Sequence, residues 1–140
     1  MSFNHSFPIQ IRFNDADIAG HIYNGTYQDY FDTARLDYFK KVLGENINWR
    51  KTGLVIVSVR NDFSAPVFLN DQIEIQSKVC VLGKKSLQMI QQVTKIGESE
   101  PVATGKTVLV CYDLKKKESV LIPQKWRKKL VAFEPGLIGD

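Results

Sequence analysis

The sequence predicts an α+β fold in which one long helix packs against an antiparallel sheet of roughly five strands. A single long stretch has its apolar residues at helical spacing; one strand-like stretch precedes it and four follow it, with short turns between them. Strands joined by short turns pair antiparallel, and a helix with one apolar face buries that face against the sheet. We expect a single domain over residues 1–140, since no linker or repeat divides the chain.

The first strand is predicted over residues 7–13. Apolar residues alternate there with polar ones, which is typical of a strand with one buried face. Pro8 suits the start of a strand or an edge strand, because proline has no N–H to donate to a neighbour. The alternating apolar residues are Phe7, Ile9, Ile11 and Phe13.

The long helix is predicted over residues 25–43. Its apolar positions recur three and four residues apart and so form one face. Gly44 provides a stop, and Lys40 and Lys41 fall in the last turn, where positive charge complements the helix dipole. The predicted buried face consists of Tyr27, Tyr30, Phe31, Ala34, Tyr38 and Val42.

The remaining strands are predicted over residues 54–63, 72–82, 86–96 and 102–114. Turns are indicated at residues 70–71 and 83–85, and a weakly amphipathic tail follows Pro123. In the strand over residues 72–82, the buried face is expected to hold Ile73, Ile75, Val79 and Val81. A sheet of about five strands with one helix leaves an edge uncovered, so we expect a homodimer or a homotetramer.

The composition is that of an ordinary globular domain, with 44% hydrophobic residues. Cys80 and Cys111 fall in strand-like segments and are interpreted as small buried hydrophobic residues. The first ten residues lack the pattern of a secretory leader and no apolar run is long enough for a bilayer, so we expect a soluble cytoplasmic protein. The net charge of +4 is compatible with a solvated surface, a nucleic-acid surface or a polyanionic ligand.

The segment NDADIAGHIYNGTY, residues 14–27, concentrates acidic residues, a histidine, asparagines and glycines between the first strand and the helix. A calcium loop requires an oxygen ligand at its fifth position and a glutamate at its twelfth, where this chain has Ala19 and Thr26. A transition-metal site would need three or four converging ligands. The segment contains a single histidine and no cysteine lies near it, so we expect no metal. The candidate ligands would be His5, Asp15, Asp17 and His21.

Two interpretations of this segment stay open on the residues alone. In the first, it is a turn in which Asp15 serves the loop and Asn24 caps the helix. In the second, Asp17 lies over the start of the helix, where unpaired N–H groups and the dipole can polarise a carbonyl oxygen. Asp17 would then act on the carbonyl carbon or on a water, with His21 and Asn24 orienting the reactants. The second arrangement suits hydrolysis of an acyl group.

The same residues resemble the start of the hotdog-fold thioesterases of the 4-hydroxybenzoyl-CoA thioesterase type. The resemblance rests on Asp-x-x-Gly-His-x-x-Asn at residues 17–24 and on YFDTAR at residues 30–35. It continues through DFSAP, residues 62–66, and LGKKSL, residues 82–87, and covers nearly the whole chain. It implies a long helix wrapped by a five-stranded antiparallel sheet, in dimers or tetramers whose active sites lie between subunits.

By resemblance, Asp17 matches the carboxylate that such enzymes use as nucleophile or general base. The backbone N–H near Asn24 would polarise the thioester carbonyl, and His21 and Asn24 match residues of related thioesterases. Lys84, Lys85 and Ser86 match a segment that contacts the phosphates of CoA. Because CoA is part of the substrate, the resemblance implies no cofactor. The alternative interpretation of these three residues is a polar hairpin turn.

The expected function is acyl-CoA thioester hydrolysis. The alternatives are an enoyl-thioester hydratase of the same fold and a non-catalytic acyl-CoA-binding module. The hydratase pattern would place Asn-Pro between the aspartate and the histidine, where this chain has IAG. The expected partners are an acyl-CoA and further copies of the chain, with no nucleic acid and no membrane.

Overall fold

The computed structural model describes residues 2–139 and contains two helices and seven strands. The five long strands and the long helix occupy the predicted stretches within a few residues. The elements are β1 (His5–Ile9), α1 (Thr26–Leu43), β2 (Thr52–Phe63), β3 (Ile73–Leu82), β4 (Ser86–Lys95), β5 (Ala103–Asp113), β6 (Glu118–Ser119), α2 (Gln124–Phe133) and β7 (Ile138–Gly139).

The five long strands form an antiparallel sheet in the order β1-β3-β4-β5-β2, which confirms the predicted α+β fold. The two short strands extend it, β6 beside β5 and β7 parallel to β3. Phe63 pairs with Ala103 at one end of the sheet, and Leu54 pairs with Cys111 at the other. We call these the Phe63 end and the Leu54 end.

Helix α1 lies across the sheet and buries the face that the periodicity predicted. Tyr27, Tyr30, Phe31, Ala34 and Tyr38 are all buried, and Val42 packs partly buried beside them. Towards the Phe63 end the helix packs on an apolar cluster around Ile73, Ile75 and Val93. Towards the Leu54 end it shares a second cluster with α2, which buries Trp126 and Leu130. Neither helix within residues 2–139 has the length and apolar character of a membrane span.

Three predictions about single positions are wrong. The first strand ends at Ile9, and Phe13 lies in a short 3-10 turn with 84% of its surface exposed. A β-bulge shifts the pairing of β3 between Val79 and Val81, so Val81 leaves the buried face. Cys80 directly follows the buried Val79, so it lies on the opposite face and is only half-buried, whereas Cys111 is buried as predicted. An inserted residue reverses the side-chain alternation, which a period of two cannot anticipate.

Strand β2 forms one edge of the sheet, and its apolar side chains are unusually exposed. Its free side runs along all 12 residues. Val55, Val57 and Val59 are each more than two-fifths exposed. A long apolar edge strand is a template for pairing with another strand.

Candidate active site

The loop between β1 and α1 is folded back on itself at residues 16–22. The Asp17 N–H donates to the His21 carbonyl at 2.7 Å, and the Gly20 N–H donates to the Asp17 carbonyl at 3.0 Å. Gly20 has φ of +83°, a conformation that favours glycine. The Ile22 N–H donates to the Val67 carbonyl at 2.8 Å, which fixes this tight turn to the Phe63 end of the sheet.

The Asp17 carboxylate is held through one of its two oxygens. Its Oδ1 accepts hydrogen bonds from the N–H groups of Ala19, at 2.9 Å, and His21, at 3.2 Å. The side chain is exposed to solvent. Since both bonds use Oδ1, the carboxylate is fixed in direction while Oδ2 is available to a substrate or a water.

Asp17, His21 and Asn24, for which the sequence predicted catalytic roles, line one cavity of about 300 Å³. The roles themselves stay predictions. The cavity opens between the turn, the first residues of α1 and the segment that follows β2. The sequence analysis gave no functional role to the remaining lining residues, although the resemblance included residues 62–66, which contribute several of them. They are Ile22, Tyr27, Phe63, Ser64, Ala65 and Pro66.

The His21 ring is positioned by an aromatic contact. It packs edge-on against Phe68, with 4.9 Å between the ring centroids. The Phe68 N–H in turn donates to Asp71 Oδ2 at 2.8 Å. This N–H, together with Lys95, holds the pKa of the Asp71 carboxyl below its ordinary value of 3.8. The loop carrying Phe68 is therefore fixed by an ionised aspartate.

Helix α1 begins at the cavity with two free N–H groups. Its N-cap is Gly25, and no side chain caps it, so the prediction that Asn24 is the N-cap is wrong. The N–H groups of Thr26 and Tyr27 donate to the carbonyls of Tyr23 and Asn24. Those of Asn24 and Gly25 have no acceptor within residues 2–139. They are donors at the positive end of an 18-residue helix. Asn24 lines the same cavity as Asp17.

Asp15 has a structural role, although it lies two residues from Asp17. Its Oδ2 accepts hydrogen bonds from the Tyr30 hydroxyl at 2.7 Å and the Arg12 N–H at 2.9 Å. Burial raises the pKa of Tyr30, and the hydrogen bond to Asp15 raises it further. Asp15 thus ties the loop to α1, as the first interpretation of this residue expected.

Metal ligands do not converge within residues 2–139. His5 is buried and bonds to Asp37, with 2.8 Å between Nε2 and Oδ2. It contributes nothing to the loop that holds Asp17 and His21. The histidines therefore belong to different parts of the molecule.

Lys84, Lys85 and Ser86 lie at the Leu54 end, in the hairpin between β3 and β4. The Gly83 N–H closes this hairpin on the Ser86 carbonyl at 2.8 Å. The 10 residues of β3 separate the hairpin from the Asp17 loop, a distance of about 30 Å at 3.3 Å per residue. Within one chain, the structure does not bring the two groups of predicted site residues together.

A long helix packed across a five-stranded antiparallel sheet defines a hotdog fold. The chain belongs to the Thioesterase-like superfamily, which it matches over residues 11–130. This confirms the resemblance and the enzyme class predicted from the sequence.

Individual relatives agree with this assignment. The chain is 26% identical to the long-chain acyl-CoA thioesterase FadM of Escherichia coli K12, over 87% of this chain and 93% of that protein. Among solved structures it is similar to a Thermus thermophilus thioesterase complexed with coenzyme A and zinc, at 28% identity and a TM-score of 0.81, covering 95% and 96% of the two chains. It is also similar to the PA5185 protein of Pseudomonas aeruginosa, at 34% identity and a TM-score of 0.85, covering 94% and 92%.

Proposed function

We propose that this thioesterase hydrolyses an acyl-CoA to the free acid and CoA, with Asp17 as its catalytic carboxylate. The observation that supports this most strongly is the arrangement at the start of α1. One cavity is lined by Asp17, whose carboxylate is fixed, and by Asn24, which together with Gly25 carries the free N–H groups at the helix start. The acyl-CoA substrate is supported by the relatives that act on long-chain acyl-CoA or carry bound coenzyme A.

The arrangement supports two routes to the same products. In one, Asp17 removes a proton from a water, which attacks the thioester carbon; the oxyanion is stabilised by the two N–H groups and CoA leaves as a thiol. In the other, Asp17 attacks the carbon itself and CoA leaves as a thiolate. The mixed anhydride is then hydrolysed by a water, which restores the carboxylate. We propose that His21, whose ring packs edge-on against Phe68, orients the water.

The proposed assembly is a homodimer formed through β2. Two copies of this edge strand pair antiparallel about a two-fold axis and cover the exposed valines. Because the strands run in opposite directions, the Leu54 end of each subunit lies beside the Phe63 end of the other. The Lys84–Lys85–Ser86 hairpin of one subunit then approaches the Asp17 loop of its partner. The predicted CoA-binding residues and Asp17 thus serve one site between subunits.

Charge supports this assembly. The loops at the Leu54 end carry a concentration of lysine, whereas Asp15, Asp17 and Asp71 lie at the Phe63 end. Opposite orientation of the subunits places the basic loops beside each catalytic loop, where they attract the phosphates of CoA. These lysines are Lys51, Lys84, Lys85, Lys115, Lys116 and Lys117.

The test is thiol release from a panel of acyl-CoAs by wild type and by Asp17→Asn. Loss of a general base or nucleophile should lower kcat by about 10²- to 10⁴-fold. Far-ultraviolet circular dichroism and size-exclusion chromatography should be unchanged. Glu98→Gln is the matched control, since it removes an exposed carboxylate that does not line the cavity. Wild-type turnover by Asp17→Asn, or hydration of crotonyl-CoA without thiol release, would contradict the proposal.

A further inference from the structure

A second cavity, of about 420 Å³, lies at the Leu54 end of the molecule, between the end of α1, the loop that leads to β2 and the first turns of α2. It is separate from the cavity that holds Asp17, and none of the residues predicted from the sequence as catalytic or CoA-binding lines it. More than half of its lining residues are polar, which suits a polar ligand. They are Glu45, Asn46, Asn48, Lys51, Thr52, Lys125 and Lys129.

The wall of this cavity carries an excess of positive charge. Lys51, Lys125 and Lys129 line it, and within residues 2–139 no carboxylate lies within 4.0 Å of their ammonium groups. Glu45 also lines the cavity and is exposed to solvent. Three lysines and one glutamate give the wall a formal charge of +2. A wall with this excess attracts an anion.

Two of these lysines are brought together by α2. Lys125 and Lys129 are four residues apart in the helix, so they lie on the same face, where like charges repel each other. Lys129 Nζ donates to the Leu43 carbonyl at 2.9 Å, which fixes this ammonium group at the end of α1 and offsets the negative end of that helix. An ammonium group has three protons to donate, so Lys129 keeps two for an acceptor in the cavity. An anion bound between the two lysines removes their repulsion.

The loop after α1 adds hydrogen-bond donors to the wall. Residues 45–48 all line the cavity, and their N–H groups have no acceptor within residues 2–139. Asn48 Oδ1 accepts the Arg50 N–H at 3.2 Å, so the side-chain NH₂ group of Asn48 is left to donate. Phosphate groups accept hydrogen bonds from donors of both kinds, backbone N–H and ammonium. The wall therefore offers an anion several donors as well as positive charge.

We propose that this cavity binds a small anion that carries phosphate groups, with inorganic diphosphate as the probe of that chemistry. Lys125 and Lys129 bind the anion from α2, and Lys51 binds it from the start of β2. The volume of about 420 Å³ corresponds to roughly 14 water molecules at about 30 Å³ each, which is room for a diphosphate and part of its hydration shell. The nucleotide of CoA carries the same chemical groups, so the experiment has to separate it from a free anion.

Tryptophan fluorescence measures the binding, because both tryptophans of the chain lie at this cavity. Trp126 lines it, and Trp49 packs against Trp126 with 5.3 Å between the ring centroids. Titration of wild type with sodium diphosphate at constant ionic strength should change the emission until it saturates. Lys125→Glu should raise the Kd at least about tenfold, since it replaces a charged hydrogen bond by a repulsion. Lys128→Glu is the matched control and should leave the Kd nearly unchanged, because it makes the same change of charge at an exposed position of α2 outside the cavity.

A second variant and a second method keep the test independent of one substitution. Lys129→Gln should also raise the Kd, with circular dichroism to confirm that the variant is folded. Isothermal titration calorimetry should give the same order of Kd values as fluorescence. Equal Kd values for Lys125→Glu and Lys128→Glu, or no saturable binding at millimolar diphosphate by either method, would overturn the proposal.

Assays of thiol release separate a free anion from the nucleotide of CoA. If the cavity takes a free anion, diphosphate binds wild type saturated with CoA, and Lys125→Glu keeps the wild-type KM for acyl-CoA. Competition between CoA and diphosphate, together with a raised KM in Lys125→Glu, would assign the cavity to the substrate's nucleotide and overturn the proposal. Failure of the proposed function would appear differently, as wild-type thiol release by Asp17→Asn with diphosphate binding intact.

Discussion

Asp15 and Asp17 lie in the same loop but differ in what their oxygen atoms contact. Asp15 Oδ2 accepts the Tyr30 hydroxyl and the Arg12 N–H, which ties the loop to α1. Asp17 Oδ1 accepts two N–H groups of its own turn, which leaves the second carboxylate oxygen available. The environment therefore gives Asp15 a stabilising role and leaves Asp17 free for the catalytic role that we propose.

The stabilising role of Asp15 predicts an energetic coupling to Tyr30. Asp15→Ala and Tyr30→Phe should each lower the free energy of unfolding, and the coupling between them should be about 1–3 kcal/mol, since the hydrogen bond joins a charged group to a buried hydroxyl. Urea denaturation of the two single variants and the double variant measures this coupling. Additive losses would show that the two side chains act independently.

Asp71 predicts a dependence of stability on pH. Its pKa in the folded protein is below the ordinary 3.8, first because of the Phe68 N–H and then because of Lys95. A lowered pKa contributes stability above the ordinary value, and the contribution is lost as the pH falls through the folded-state pKa. The difference in free energy of unfolding between wild type and Asp71→Asn should be constant near neutral pH and should shrink below pH 3.8. Urea unfolding across this range measures it, and a difference that grows on acidification would contradict it.

At the residue scale, the sequence analysis succeeded in grouping residues that are close together in the chain. Asp17, His21 and Asn24 lie within a few residues of one another, and the turn brings them to one cavity. The cap at Asn24 was predicted wrongly because the helix begins one residue later, with Gly25 in helical conformation. The contact between His21 and Phe68 was not predictable, since it depends on how a distant loop docks.

At the scale of elements, α1 was the most predictable part of the chain, because its apolar period extends over five turns of helix. Its buried face also contains Arg35, which the pattern did not assign to the core. Arg35 is buried because Asp32, Gln91 and Thr107 supply its hydrogen-bond acceptors. Two of these acceptors come from the sheet, so sequence spacing on the helix could not reveal them.

The start of α1 predicts a matched pair of substitutions. Gly25 has φ of −65°, which proline can adopt, so Gly25→Pro removes the free N–H without requiring a new φ. Gly25→Ala keeps the N–H and makes the same contact with the Tyr23 ring, which would lie 2.6 Å from a new Cβ atom. If this N–H stabilises the oxyanion, kcat of the proline variant should be about 10²- to 10³-fold lower than that of the alanine variant. Equal values of kcat in thiol-release assays would assign the oxyanion contact to the Asn24 N–H alone.

For the whole molecule, the order of the strands decides which predicted site residues can act together. The sequence indicated Asp17 and the hairpin at residues 83–86 as parts of one site, but β3 holds them at opposite ends of the chain's own sheet. The distance between the two groups cannot be read from their spacing in the sequence. It depends on how β1, which leads into the Asp17 loop, pairs with β3, which leads into the hairpin. The proposed assembly through the β2 edge would bring the two groups together in one site between subunits.

That assembly predicts complementation between two defective chains. Lys84 and Lys85 are exposed, and their joint replacement by alanine should raise KM for acyl-CoA by about 10-fold or more, since each charged hydrogen bond to a phosphate contributes roughly 1.5–3 kcal/mol.

In a heterodimer of this double-alanine chain with an Asp17→Asn chain, one site combines the intact Asp17 with the partner's intact lysines. Its KM should be that of wild type and its kcat about half, because the other site of the dimer lacks the carboxylate. Replacement of Lys40 and Lys106 by alanine is the control for a general loss of charge, since both lysines are exposed and lie outside the basic loops. A heterodimer that retained the raised KM would show that each hairpin serves the Asp17 of its own chain, and the two-fold arrangement through β2 would then be wrong.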